Sequence, residues 1–283
     1  MIRHAFQYER PRTLPAAVVL LREAGSEARV LGGGSMLVPF LSSGLDRASL
    51  ILDPIWLDLD GVHADARTVR IGARATYATL AASTVIRERL PLLAAMVADI
   101  TGGAGLWNLA TLGGAVCLAN PSADGPGCLA ALDARFRLAS VAGERLVPAA
   151  DFFLGAFSTC RRPDEILIEM VIPAETPMGR NSYRKLKNAA SSWPIVTASA
   201  FTTRREDGVH IVRASLGAAA PAPLAGIWTF DTTPDLSDAS AIADALIARM
   251  TVEWADELAG PGYRRAVART VLERVLREMV GIS

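Results

Sequence analysis

This 283-residue sequence predicts an α+β protein of two or three units sharing a core. Three observations carry that reading. The length exceeds one average domain. Apolar residues make up 51% and charged residues 20%, enough to bury a large core. Segments of strand-like alternation and segments of helical period both recur, and in the last hundred residues the strands precede the helices.

The elements follow in order. Residues 14–24, LPAAVVLLREA, place apolar side chains at helical intervals, and Gly25 is a stop signal. ARVLGG reads as a short strand running into glycines. MLVPFLSSG reads as a helical turn or two interrupted at Pro39, and SLILD as another strand. A first unit thus spans about residues 1–55. From Leu57 to Ala73 the alternation predicts a hairpin with a polar tip. TYATLAAS and LPLLAAMVADI read as helices, the second ended by Thr101-Gly102-Gly103. Beyond the apolar, helix-like run after Asp124 come ARFRLAS, the turn VAGERLVP, and a strand at Ile166–Ile172 closed by Pro173. AETPMGRN reads as a linker. Then SYRKLK, IVTASAFTTR and VHIVRASLGAAA alternate as strands. DASAIADALIARM and YRRAVARTVLERVLREM are amphipathic helices, the latter with Val267, Val271, Leu272, Val275 and Leu276 on one stripe.

Composition excludes several classes of function. Lys plus Arg is 29 and Asp plus Glu is 29, so no basic excess marks a nucleic-acid partner. Near-zero charge with a mean hydropathy of +0.28 favours burial within an assembly. No window approaches the roughly 18 unbroken apolar residues of a membrane span, and MIRHAFQYERPR has no apolar signal region. The chain therefore reads as cytoplasmic. Cys117, Cys128 and Cys160 are odd in number and lack CxxC spacing, so they read as small core hydrophobes rather than disulfides or metal ligands. His4, His63 and His210 are scattered, with no catalytic or metal-binding spacing.

Two glycine loops carry the chemistry. In LGGGSM, Gly32, Gly33 and Gly34 lack Cβ, so the backbone can approach a ligand closely. Their amides can converge on an anion, and Ser35 can cap the turn that follows. Phosphate suits such a loop, although this is neither GxGxxG, since Leu37 occupies the last position, nor a Walker loop. In TLGG, Gly113 and Gly114 offer amides again, and the Thr111 hydroxyl can donate to an oxygen. Two such loops suit a pyrophosphate held from both sides, with Asp124 accepting from a ribose. From spacing alone the alternative stays open, because glycine clusters more often make tight turns or bulges.

Together these segments resemble a family: the medium, FAD-binding subunit of the molybdenum hydroxylases, the carbon monoxide dehydrogenase and xanthine dehydrogenase group. YERPRTLPAAVVLL, RVLGGGSMLVP, ATLGGAVCLANPSADGPGCLAALDA, GERLVPAADFFLG, PDEILIEMVIP, YRKLK, VRASLGAAAPAPL and YRRAVA match its signposts in order and spacing, nearly end to end. The resemblance implies a two-part FAD-binding domain of the vanillyl-alcohol-oxidase (PCMH-like) type over residues 1–175, with subdomains of about 1–55 and 56–175. It implies a C-terminal α+β domain over 176–283, a three-stranded sheet with helices.

By matching position, Gly32, Gly33, Gly34, Ser35, Met36 and Leu37, with Thr111, Gly113, Gly114 and Ala115, are expected to line the pyrophosphate. Asp124 is expected on the ribose or pyrophosphate side and Leu167 near the cofactor. Lys185 would place a positive charge near the flavin or phosphates. Trp193 is either a face that stacks on or shields the isoalloxazine, or a buried core tryptophan. The expected partners are a large molybdopterin-binding subunit and a small [2Fe-2S] subunit, in a dimer of heterotrimers. Electrons would pass from the clusters through FAD to NAD, a quinone or oxygen. Three departures stand out. Met36 replaces a residue often polar, Trp107 a common arginine and Ala115 an asparagine; each removes a side-chain hydrogen bond of about 0.5–1.5 kcal/mol. They leave open a scaffold subunit of the same complex that has lost FAD.

Overall fold

The computed structural model describes residues 2, 4–174, 179–260 and 262–281. The N-terminal part holds strand β1 (Gln7–Glu9), helix α1 (Leu14–Ala24), β2 (Ala28–Val30), helix α2 (Leu37–Ser43) and β3 (Leu50–Leu52). The strands form a parallel sheet in the order β1-β3-β2. Thr13 caps α1 by accepting from the Ala16 amide, and Gly25 ends it with positive φ. Helix α2 is not interrupted at Pro39. The proline sits in the first turn, where its missing N–H has no intrahelical partner to lose. Nor does Ser35 cap it: the N-cap is Met36, whose side chain makes no capping hydrogen bond.

The second part is larger. β4 (Val62–Ala64) and β5 (Thr68–Gly72) form the expected hairpin. A helical run follows: α3 (Tyr77–Ala82), α4 (Thr84–Arg89), α5 (Pro91–Ala98), α6 (Gly103–Trp107), α7 (Leu112–Leu118) and α8 (Asp124–Ala131). β6 (Arg135–Ser140), β7 (Gly143–Pro148), α9 (Ala149–Phe152), β8 (Phe153–Gly155), β9 (Ser158–Thr159) and β10 (Ile166–Pro173) complete it. Its five-stranded sheet has the order β4-β5-β10-β6-β7 and is antiparallel throughout. A fully buried core of Val69, Ile71, Leu80, Leu92, Phe136 and Met170 joins this sheet to the helices.

Residues 175–178 of the expected linker lie outside the described residues, and Asn181 already belongs to a strand. The third sheet has four strands rather than three: β11 (Asn181–Leu186), β12 (Val196–Arg204), β13 (His210–Gly217) and β14 (Leu224–Phe230). Sequence alternation misses β14 because it begins Leu-Ala-Gly and its outer positions stay half-exposed, which blurs the period. Helices α10 (Leu236–Ala248) and α11 (Tyr263–Val280) follow. Asp235 gives α10 a capping box with Asp238.

This sheet is buried on both faces, and its period of two divides the labour. Ala198, Ala200, Val212 and Ala214 pack with Ile242, Leu272 and Leu276 of α10 and α11. The opposite face is small and polar and receives α8: Ser215 Oγ donates to the Gly127 carbonyl at 2.7 Å. A Cβ on Gly127 would lie 3.3 Å from Gly217 Cα, so helix and strand meet backbone to backbone. On β11, Ser182 and Arg184 turn to Glu278 of α11. Tyr183 and Lys185 therefore turn the other way, toward the second part. Among the described residues no helix is long and apolar enough to cross a membrane.

Candidate functional site

The first glycine loop joins β2 to α2. After the Leu31 amide has bonded the Leu52 carbonyl at 2.8 Å, the ladder stops. Among the described residues, the N–H groups of Gly32 through Leu37 donate no hydrogen bond within the protein. Six successive amides are left free to serve a ligand. Gly34 has φ +72°, the left-handed conformation that turns the chain into α2.

The second loop is not a free turn but the start of α7. Thr111 is the N-cap, and its Oγ1 accepts from the Gly114 amide at 3.0 Å. The hydroxyl keeps its own proton to donate elsewhere. An isolated bridge between Thr76 and Thr111 fixes the loop to the end of the β5 region. Gly113 packs so closely on Ala73 that a Cβ would overlap the Ala73 carbonyl.

The two loops meet. A Cβ on Gly32 would lie 2.9 Å from Thr111 Oγ1 and 3.8 Å from Gly114 Cα. A side chain there would close the gap between the loops. With glycine, the gap stays open and belongs to a cavity of about 690 Å³. Every sequence-predicted site residue except Lys185 lines that cavity. Leu167 is a buried wall residue on β10, next to a bulge between Leu167 and Glu169. Trp193 is 42% exposed, so the core alternative falls and its ring stands at the cavity wall. Trp107 spends its Nε1 on the Ile100 carbonyl at 3.0 Å, and Ala115 brings no polar atom, so neither replaces the hydrogen bond that its departure removes.

Lys185 stands one layer behind. Its Nζ donates to Asp124 Oδ1 at 3.0 Å and to the Asp99 carbonyl, with its side chain 2% exposed. The Tyr183 hydroxyl donates to the same Asp124 oxygen. Burial pushes the Asp124 carboxyl up, while the Lys185 charge and the Tyr183 hydrogen bond pull it back. Burial, then the Asp124 charge, raises Tyr183 well above the ordinary phenol value. Lys185 thus acts on the cavity through Asp124.

Sequence reasoning missed several wall residues. Arg29 makes a two-pronged ion pair with Asp46, at 2.8 Å for each contact. Arg74 is held by Asp60 at 3.0 Å and Asp53 at 3.5 Å. Ile100 was legible only as the end of a helix and Thr101-Gly102 as its stop, although all three line the cavity and Gly102 has φ +110°. Arg161 carried no signal, because it lies in an irregular segment without periodicity.

Free amides facing a long, partly apolar cavity fit a dinucleotide whose diphosphate needs donors and whose rings need apolar walls. Residues 4–175 match the family described as the FAD binding domain in molybdopterin dehydrogenase. The chain belongs to this family. As such it is the flavoprotein component of an oxidoreductase. Relatives of this FAD-binding family extend the match over the whole chain. The carbon monoxide dehydrogenase medium chain of Hydrogenophaga pseudoflava is 32% identical over 98% of this chain and 97% of its own. The xanthine dehydrogenase FAD-binding subunit of Escherichia coli O157:H7 is 28% identical over 77% of this chain and 75% of its own. Among solved structures, the Cu,Mo-CO dehydrogenase in its cyanide-inactivated form superposes with a TM-score of 0.88 at 27% identity, covering 99% of both chains.

Proposed function

We propose that this chain is the electron-transfer medium subunit of a three-component molybdenum hydroxylase, with FAD held between the two glycine loops. The observation that carries the reading is the row of unpartnered amides from Gly32 to Leu37, facing Thr111 and Gly113 across one open cavity. These groups would bind the diphosphate mainly through the main chain, which is why Met36, Trp107 and Ala115 are tolerable. Asp124 would face the ribose or phosphate side, with Lys185 and Tyr183 fixing its charge and position. Leu167 and Trp193 would wall the flavin and exclude water. FAD supplies the redox chemistry, taking electrons from [2Fe-2S] clusters of a small subunit fed by a molybdopterin-binding large subunit, and giving them to NAD, a quinone or oxygen. No general acid or base is required of this chain. A cytoplasmic dimer of heterotrimers completes the proposal.

The test is purification of the chain with its co-expressed partners. The expected preparation is yellow and releases about one FAD per medium chain on denaturation. A complex that assembles and turns over an artificial acceptor with no flavin in the denatured supernatant would reject FAD and leave a scaffold subunit.

A further inference from the structure

The cavity wall carries six charged side chains: Arg29, Asp46, Arg74, Asp124, Arg161 and Glu165. Five are already neutralised inside the protein. Arg29 pairs with Asp46, Arg74 with Asp53 and Asp60, and Asp124 with Lys185. Glu165 pairs with Arg145 at 2.6 Å and with Arg162 at 2.9 Å. Arg161 differs. Among the described residues it has no carboxylate within ion-pair distance. Only its Nη1 is engaged, donating to the carbonyls of Arg162 at 3.1 Å and Glu165 at 2.7 Å. Those bonds fix the guanidinium plane against the wall while Nε and Nη2 make no hydrogen bond among the described residues. A half-buried, oriented, uncompensated guanidinium is a site for an anion.

Its place in the cavity says which anion. The charge of Arg161 is felt by the Cys117 thiol, which burial otherwise pushes up. Cys117 lies on α7, two residues beyond Ala115. Ile166, five residues after Arg161, packs with Leu21 and Leu52 of the N-terminal part. Arg161 therefore lines the same cavity as the glycine loops, with its charge reaching the helix that Thr111 and Gly113 open.

We propose that Arg161 is the cationic partner of the cofactor's diphosphate and makes the cavity select FAD over flavins that lack the ADP half. This rests on the reading of the cavity as an FAD site. Arginine is suited to the task because its planar fork matches phosphate oxygens and it stays charged at every working pH.

The experiment uses the full-length chain, stripped of flavin and titrated with FAD, ADP and riboflavin by calorimetry and flavin fluorescence. Arg161→Gln is expected to weaken FAD and ADP by about 10- to 100-fold, the range of one charge-assisted hydrogen bond, and to leave riboflavin within about twofold. Arg161→Lys, which keeps the charge but loses the fork, is expected to recover most of the FAD affinity. Added salt should weaken FAD binding more in the wild type than in Arg161→Gln. FAD affinity in Arg161→Gln within twofold of wild type overturns the proposal. So does an equal loss for riboflavin, which would mean that the wall has merely collapsed. If the wild type takes up neither FAD nor ADP, the FAD reading of the cavity itself fails, a result that no outcome at Arg161 alone can produce.

Discussion

Gly33 and Leu109 touch backbone to backbone: a Cβ on Gly33 would overlap the Leu109 carbonyl, with Ala110 Cα only 3.1 Å away. The middle glycine of the first loop is thus required by the second loop, before any ligand is considered. Gly33→Ala should force the loops apart, destabilise the chain by about 1–3 kcal/mol, and abolish FAD uptake. Gly105→Ala is the control, since nothing lies within 4 Å of its Cβ and it sits inside α6, where alanine gains about 0.5–1 kcal/mol. Thermal melts of both variants check this. An unchanged melt for Gly33→Ala would show that the loops are not in contact.

The Lys185–Asp124 pair predicts strong non-additivity. Lys185→Met leaves a buried carboxylate without its counter-charge and should cost about 3–5 kcal/mol. The double variant Lys185→Met/Asp124→Asn should cost far less than the sum of the singles. The pH response has a definite sign. Burial already holds Asp124 above the ordinary carboxylate value, and removing Lys185 raises it further. A raised folded pKa contributes stability at low pH that is lost as pH rises through it. Relative to wild type, Lys185→Met should therefore recover stability on acidification. Urea melts across the carboxylate range measure it, and a pH-independent difference would exclude the mechanism.

Glu165 gives the opposite sign. Its side chain is 1% exposed; burial would raise its carboxyl, but Arg145, the Arg162 amide at 2.6 Å and the Arg162 charge bring it below the ordinary value of 4.5. A depressed folded pKa contributes stability that is present above the unfolded value and lost as pH falls through the folded one. Glu165→Gln should be about 2 kcal/mol less stable at neutral pH, and the deficit should shrink as pH falls below the ordinary carboxylate range. Denaturation midpoints at neutral and acid pH test it; a deficit that grows on acidification would contradict the assignment.

Much of this was legible in residue order. The glycine loops announced themselves because Gly32–Gly34 and Gly113–Gly114 interrupt otherwise apolar runs, and the cavity collects both. The sequence could not say that TLGG opens a helix, since Thr111 caps α7 through a contact visible only in three dimensions. Nor could it say that the glycines serve each other as much as a ligand. β14 was hidden because half of its positions face outward at a sheet edge, and α4 and α6 because each is shorter than two turns. The charged wall residues escaped for a different reason. Arg29, Arg74 and Arg161 gain meaning from which carboxylates lie within reach, and their pairing partners, or the lack of them, are set by tertiary contacts.

The most distant contact that shapes the site runs through Asp256. Its Oδ2 accepts from Ser122 Oγ and Trp254 Nε1, both at 2.9 Å, and its Oδ1 accepts from the Leu258 amide and from Arg264. Arg264 on α11 is fully buried and also donates to the Ala218 carbonyl at 2.7 Å. The C-terminal part thereby grips the Asn120–Asp124 turn at Ser122, two residues before the carboxylate that Tyr183 and Lys185 hold. Removing Asp256 strands a buried guanidinium, so Asp256→Ala should lose about 3–5 kcal/mol. Ser122→Ala removes one hydrogen bond and should lose about 1 kcal/mol. The distinguishing readout is local. In Ser122→Ala, amide exchange should accelerate at position 122 and at Ala123 while the α11 amides keep their wild-type protection. Uniform acceleration across α11 would mean that Ser122 supports the whole C-terminal part rather than the turn, and the coupling from Asp256 to Asp124 would be lost.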